Sequence, residues 1–253
     1  MATFKQNCGI PVDFEGFQNA RTPKDVVVFF DDFLGATFSA TADAATWFTY
    51  LINTQSTTPV ILDGTDDAED EAGGILKLEV DGTADEGLNL QVNGEAFHLA
   101  DGYPLYFEAR VNAASIVDMD WFVGLSAADT TMEICTDDTV DNIGFMSTVG
   151  TMSFVATKDS GTTKSVDTKI TEAADDWIRV AFFWDGIDTV TYSVDENDDG
   201  NFTYKGSLDA DTAAHMIAQD AMMTPVVEAI AAATGGTYLY VDYVLCIQTR
   251  FHE

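Results

Sequence analysis

The chain has 253 residues, 46% hydrophobic and 11% aromatic, with 43 Asp and Glu against 11 Lys and Arg, a formal net charge of −32. That length suits one large domain or two small ones, and the apolar content is too high for a disordered acidic tail. Nucleic acid and anionic membrane surfaces are excluded as partners, because both are bound through clustered Lys and Arg.

Residues 1–24 differ from the rest. Lys5, Arg21 and Lys24 outnumber Asp13 and Glu15, a net of +1, so the other 229 residues carry −33. The lead reads either as a loosely ordered terminus or as an arm that docks on a partner. The organisation expected is an arm, 1–24, followed by one domain, 25–253. The segment MATFKQNCGIPVDFEGF has no continuous apolar run of the signal-peptide kind. No stretch reaches the ~18 apolar residues of a membrane span. Cys8, Cys135 and Cys246 are odd in number and show no CxxC spacing. They argue against a disulfide scaffold or zinc site, fit assembly in a reducing cytoplasm, and read as buried small hydrophobes.

From residue 26 onward nearly every regular segment reads as strand. Residues 26–30 (VVVFF) form a β-branched and aromatic run ended by Asp31-Asp32. Residues 63–71 hold six carboxylates and predict an exposed loop. Residues 75–80 (ILKLEV) and 88–92 (LNLQV) alternate apolar and polar, and the second stops at Asn93-Gly94, a two-residue turn signal, before 96–99 (AFHL). Strands are predicted over 105–111, 121–125, 143–146, 152–155 and 177–184. Residues 189–194 and 201–204 flank an acidic turn, and 238–247 (YLYVDYVLCI) make a long strand. The Ala-rich stretch 211–219 suits a short helix, while 224–233 (TPVVEAIAAA) suits helix or strand, with strand favoured. Many short strands parted by Gly, Asn and Asp indicate a single all-β sandwich or barrel.

A sandwich rich in carboxylates raises glycoside hydrolysis, which needs two acids flanking the scissile bond. The nearest pattern is Glu79-Val80-Asp81, where position 83 is Thr and Gly82 already turns the chain. His98, His215 and His252 form no zinc spacing, and G-x-S-x-G and phosphate-binding loops are absent. A non-enzyme is therefore expected. Calcium is the one cofactor with a signal: Asp195, Asn197 and Asp199 occupy positions 1, 3 and 5 of a D-x-N-x-D-G loop. Position 12 of that loop is Gly206 instead of Glu, and an acidic hairpin turn is the competing reading. The acidity itself suits salty surroundings and keeps densely displayed copies soluble.

Taken in order, the segments at 74–78, 88–97, 105–111, 122–126, 177–180 and the YVDYV of 240–244 resemble the concanavalin A-like lectin/glucanase jelly roll found in structural proteins of tailed bacteriophages. The resemblance covers roughly residues 26–250. It implies an antiparallel two-sheet sandwich and a virion component, foremost a capsid decoration or cement protein on the head surface, with fibres and tail-associated adhesion proteins as other settings. It implies the major capsid protein as partner, with Lys5, Arg21 and Lys24 as capsid-contact candidates. Capsid symmetry points to a homo-oligomer such as a trimer. No lectin loop and no glucanase catalytic strand is matched. The alternative is a carbohydrate-binding module stacking glycans on Trp47, Trp121 or Trp184, each of which also suits the core.

Overall fold

The computed structural model describes residues 26–34, 36–40, 48–53, 57–62, 74–128, 140–158, 163–209, 221–233 and 236–250. Outside them lie the 1–24 arm with Lys5, Arg21 and Lys24, the acidic loop 63–71 and the 211–219 stretch, together with Cys8, Cys135, Trp47, His215 and His252.

The described elements are all strands. In chain order they are β1 (Val26–Asp31), β2 (Phe38–Ser39), β3 (Phe48–Asn53), β4 (Val60–Leu62), β5 (Ile75–Val80), β6 (Gly87–Val92), β7 (Leu105–Ala113) and β8 (Met119–Ser126). There follow β9 (Asn142–Thr148), β10 (Thr151–Thr157), β11 (Lys164–Thr171), β12 (Trp177–Trp184), β13 (Thr189–Asp195), β14 (Tyr204–Asp209), β15 (Thr224–Ala231) and β16 (Thr237–Thr249). The first sheet runs β14-β13-β12-β7-β16-β5-β4, with β1 also on β16; the second runs β11-β10-β9-β8-β15-β6-β3-β2. Pairing is antiparallel apart from the two-residue contact of β2 with β3. The chain is thus an all-β, two-sheet jelly-roll sandwich.

Period-2 alternation sends one side of each strand inward. On β12, Ile178, Val180, Phe182 and Trp184 enter the core, and on β7 Leu105, Phe107, Ala109 and Val111 do so. Aromatic rings join the layers: Phe154 of the second sheet stacks on Tyr192 of the first at 4.4 Å and 9°, and packs on Phe182 at 5.7 Å. Such pairs add roughly 0.5–1.5 kcal/mol each beyond burial. Cys246 lies fully buried in this core, its thiol pKa pushed up by desolvation.

Three local expectations change. Residues 96–99 form no strand beside β6; Phe97 makes an isolated bridge to Met223, and β6 lies between β15 and β3. The Asn93-Gly94 turn, with Gly94 at φ 97°, leads the chain out of the second sheet instead of into a hairpin. The strand after the acidic turn is β14, three residues later than 201–204, because Phe202 folds against Tyr106 and Ala181 outside the main core. Residues 224–231 are a strand, buried at every position, so their alanines reflect a central strand covered on both sides.

Candidate functional site

The first sheet turns its other face away from the core. Across that face at one level, Asp195 on β13 is opposite Arg179 on β12, Arg179 is opposite Arg110 on β7, and Arg110 is opposite Tyr243 on β16. Two arginines directly across a ladder repel each other. Carboxylates on three sides offset this. Arg179 Nη2 donates to Asp195 Oδ2 at 2.5 Å, and Arg110 Nη1 donates to Asp242 Oδ2 at 3.0 Å. Asp198, from the turn after β13, drops between them. Its Oδ2 lies 2.9 Å from Arg110 Nε and 2.8 Å from Arg110 Nη2, and its Oδ1 lies 3.0 Å from Arg179 Nε.

Two backbone irregularities deliver these carboxylates. The register of β16 against β7 shifts between Val241 and Tyr243, and this bulge leaves both Asp242 and Tyr243 off the core side. Bulges commonly re-aim side chains in this way. Asp198 sits at φ 50°, a left-handed conformation that Asp tolerates better than most residues. Side-chain exposures of 11% for Arg110, 14% for Arg179 and 0% for Asp195 separate this row from solvent-screened surface pairs. Burial works against the charge of Arg179, but Tyr243, Asp195 and Asp198 outweigh it and hold the guanidinium pKa above its ordinary value.

Next to this row, buried Glu108 accepts hydrogen bonds from the hydroxyls of Tyr106 and Tyr243, the latter at 2.5 Å. Burial first, and then the Glu108 charge, push the Tyr243 phenol pKa up, so it stays a donor. On the other side runs an aromatic row. Arg110 lies over Trp177 at 4.2 Å, Trp177 stacks with Tyr240 at 6.5 Å, Tyr240 meets Tyr238 at 4.4 Å, and Lys77 lies over Tyr238 at 4.7 Å. The register sets Lys77, Tyr240, Asn112 and Trp177 side by side on four adjacent strands. A cleft of about 520 Å³ opens beside Arg110, Arg179, Asp198, Asp242 and Tyr243. It offers charge-assisted hydrogen bonds and phenol contacts to a polar ligand, with aromatic faces close by.

The sequence-selected residues fall elsewhere or in unexpected roles. Asp195 is buried beneath its own turn, with Oδ1 accepting from the Asp199 amide at 3.3 Å and Oδ2 from the Gly200 amide at 2.9 Å as well as from Arg179. Asn197 and Asp199 are exposed, so the three calcium candidates do not converge. Among the described residues no group of three His, Cys, Asp or Glu is placed to hold a metal ion. The donors present do not fit a calcium site. Glu79 pairs with Lys77 at 2.8 Å on β5, and Asp81 lies past the strand end, exposed. Trp121 and Trp184 are 1% and 0% exposed and cannot serve as stacking platforms. Both are core residues whose indole N–H groups donate to Glu172 and to the Ala100 carbonyl. Arg110, Arg179 and Trp177 are not singled out by the sequence. The signal for Arg179 is a lone arginine in the otherwise apolar β12, in a chain with 11 basic residues; Arg110 shares β7 with Glu108 and Asn112 and stands out less.

No protein-family model and no curated protein matches this sequence. Solved structures do match in fold. A protein of unknown function from Shewanella oneidensis MR-1 superimposes with a TM-score of 0.59 at 12% identity, over 89% of this chain and 87% of that one. Peanut lectin gives 0.56 at 11% identity, over 89% and 98%. A glycoside hydrolase family protein from Mycobacterium thermorestibile gives 0.56 at 12% identity, over 87% and 100%. The architecture is therefore that of the concanavalin A-like lectins and glucanases. At such identities the likeness establishes the fold alone.

Proposed function

We propose that the chain is a non-enzymatic structural protein of a bacteriophage virion, a capsid decoration or cement protein on the head surface that contacts the major capsid protein and further copies of itself. The strand order and the acidic body support this reading. The observation that carries its non-enzymatic part is the charge row: Asp195, Asp198 and Asp242 are engaged with Arg179 and Arg110, tying neighbouring strands together. Mass spectrometry of purified particles tests it, with a copy number matching a capsid lattice expected and absence from particles refuting it. Removal of residues 1–24 should abolish attachment and leave the sandwich folded.

A second reading, glycan binding, is favoured by the row of Trp177, Tyr240 and Tyr238 between Arg110 and Lys77. Flat rings with charged groups at both ends suit the apolar faces and hydroxyl edges of pyranoses. On a glycan array, binding lost in Trp177→Ala and kept in Glu79→Gln would support it; no binding by the native protein would dismiss it.

A further inference from the structure

We infer that the acidic turn between β13 and β14 is a cation site whose cation is built in: the Arg179 guanidinium stands where a divalent metal would, and the turn is independent of calcium. The argument rests on the geometry of the turn and not on the proposed function.

The sequence Asp195-Glu196-Asn197-Asp198-Asp199-Gly200 carries oxygens at the spacing of a calcium loop, and calcium requires about six to eight of them around one point. The chain folds them otherwise. Position 1, Asp195, is buried and presents Oδ2 to Arg179 at 2.5 Å, while positions 3 and 5 face solvent. Position 4, which lies outside the ligand pattern, turns inward instead. Asp198 at φ 50° places one oxygen on Arg179 and the other on Arg110. Asp199 is occupied locally, accepting from the Asn201 amide at 2.9 Å.

Planar guanidinium groups suit this arrangement, since each presents several N–H donors in a fixed fork that can meet two carboxylates at once. A dication at the same point would have to displace Arg179 from a carboxylate with no exposure, and would then face Arg110 across Asp198. The turn thus keeps the cation-centred closure of a metal loop with a covalently attached cation. Its charge cannot be removed by chelation.

The test uses the full chain. Thermal unfolding of the native protein and of Asp199→Asn is compared in EDTA and in about 1 mM Ca²⁺, where a site of Kd near 10 µM would raise Tm by about 5 °C or more. The two proteins should respond to calcium identically, whatever the other acidic loops bind. A calcium-dependent rise in the native protein that shrinks in Asp199→Asn would overturn the inference. The converse is read in Arg179→Gln, expected to lose about 5 °C of Tm and to acquire a calcium response that a further Asp199→Asn change removes. A folded Arg179→Gln protein indifferent to calcium would refute the substitution of guanidinium for metal. Should that variant fail to fold, the first comparison decides.

Discussion

The outward faces of the two sheets solve one problem differently. Each must bury polar groups away from the central core. The first sheet does it with charge, aligning Asp195, Arg179, Asp198, Arg110 and Asp242 across four strands. The second does it with close approach and with amides hydrogen-bonded to a buried carboxylate. Gly124 on β8 faces Gly144 on β9, the Phe122 ring lies over both, and Phe122 clusters with Val155, Val226 and Met146. Beside them, Asn89 Nδ2 donates to the fully buried Glu228 at 2.5 Å, and Gln91 donates to Asn89 at 2.9 Å. The first arrangement is sensitive to charge and forgiving of volume. The glycine contact of the second should be the reverse.

The sharpest way to break this contrast is Gly144→Ala. A Cβ there would collide with the Val123 carbonyl and come within 2.8 Å of Gly124 Cα and 2.9 Å of the Phe122 ring. Two of these are backbone atoms of a central strand and cannot step aside. A loss of about 3 kcal/mol or more is expected in urea unfolding, unchanged by added salt. Arg110→Met should cost less, about 1–2 kcal/mol at low ionic strength, because Asp198 keeps Arg179 while Asp242 loses its arginine. Because the side chains are only 11–21% exposed, screening reaches them little and most of that cost should persist near 1 M NaCl. Adding Asp242→Asn to Arg110→Met should recover part of it, and no recovery would mean that the row acts through packing and not through charge.

The smallest effect is expected at Glu172, just after β11. Its carboxyl is 5% exposed and accepts from the Trp121 indole at 3.1 Å. Burial raises its pKa above the ordinary 4.5, against the lowering effect of its hydrogen bonds. With the folded value raised, the ionised carboxylate costs stability above the folded pKa, and the cost disappears as pH falls below the unfolded value. Glu172→Gln keeps the acceptor and removes the charge. It should therefore be more stable than the native protein at pH 8, with the gain fading toward pH 4.5; a gain independent of pH would show that the charge is not the cause.

Much of the framework was legible because alternation and turn residues act locally. The patterns at 75–80, 105–111 and 177–184 match β5, β7 and β12, and the Ala-rich 224–231 segment proved to be β15. Polar β11, with only Thr168 buried along it, was missed: an edge strand buries too little to leave a hydrophobic signature. The site was hardly legible at all. Arg110 and Arg179 are 69 positions apart and meet only through the β7–β12 register, while Asp242 joins them only because β16 bulges. The calcium-like spacing around Asp195 was real as a pattern. Its first carboxylate meets a guanidinium from a neighbouring strand, a partner invisible to any local reading.

The placement of β1 sets the order in which the molecule can be assembled. Val26 pairs with Thr249, some 220 residues further along, and β16 also supplies the partners of β5 and β7. Until β16 has left the ribosome, β1, β5 and β7 each have an open edge, and β1 has no other partner among the described strands. Folding should accordingly be slow, in the millisecond-to-second range typical of non-local β topologies. The nascent polypeptide stays open to association with its neighbours until β16 is made.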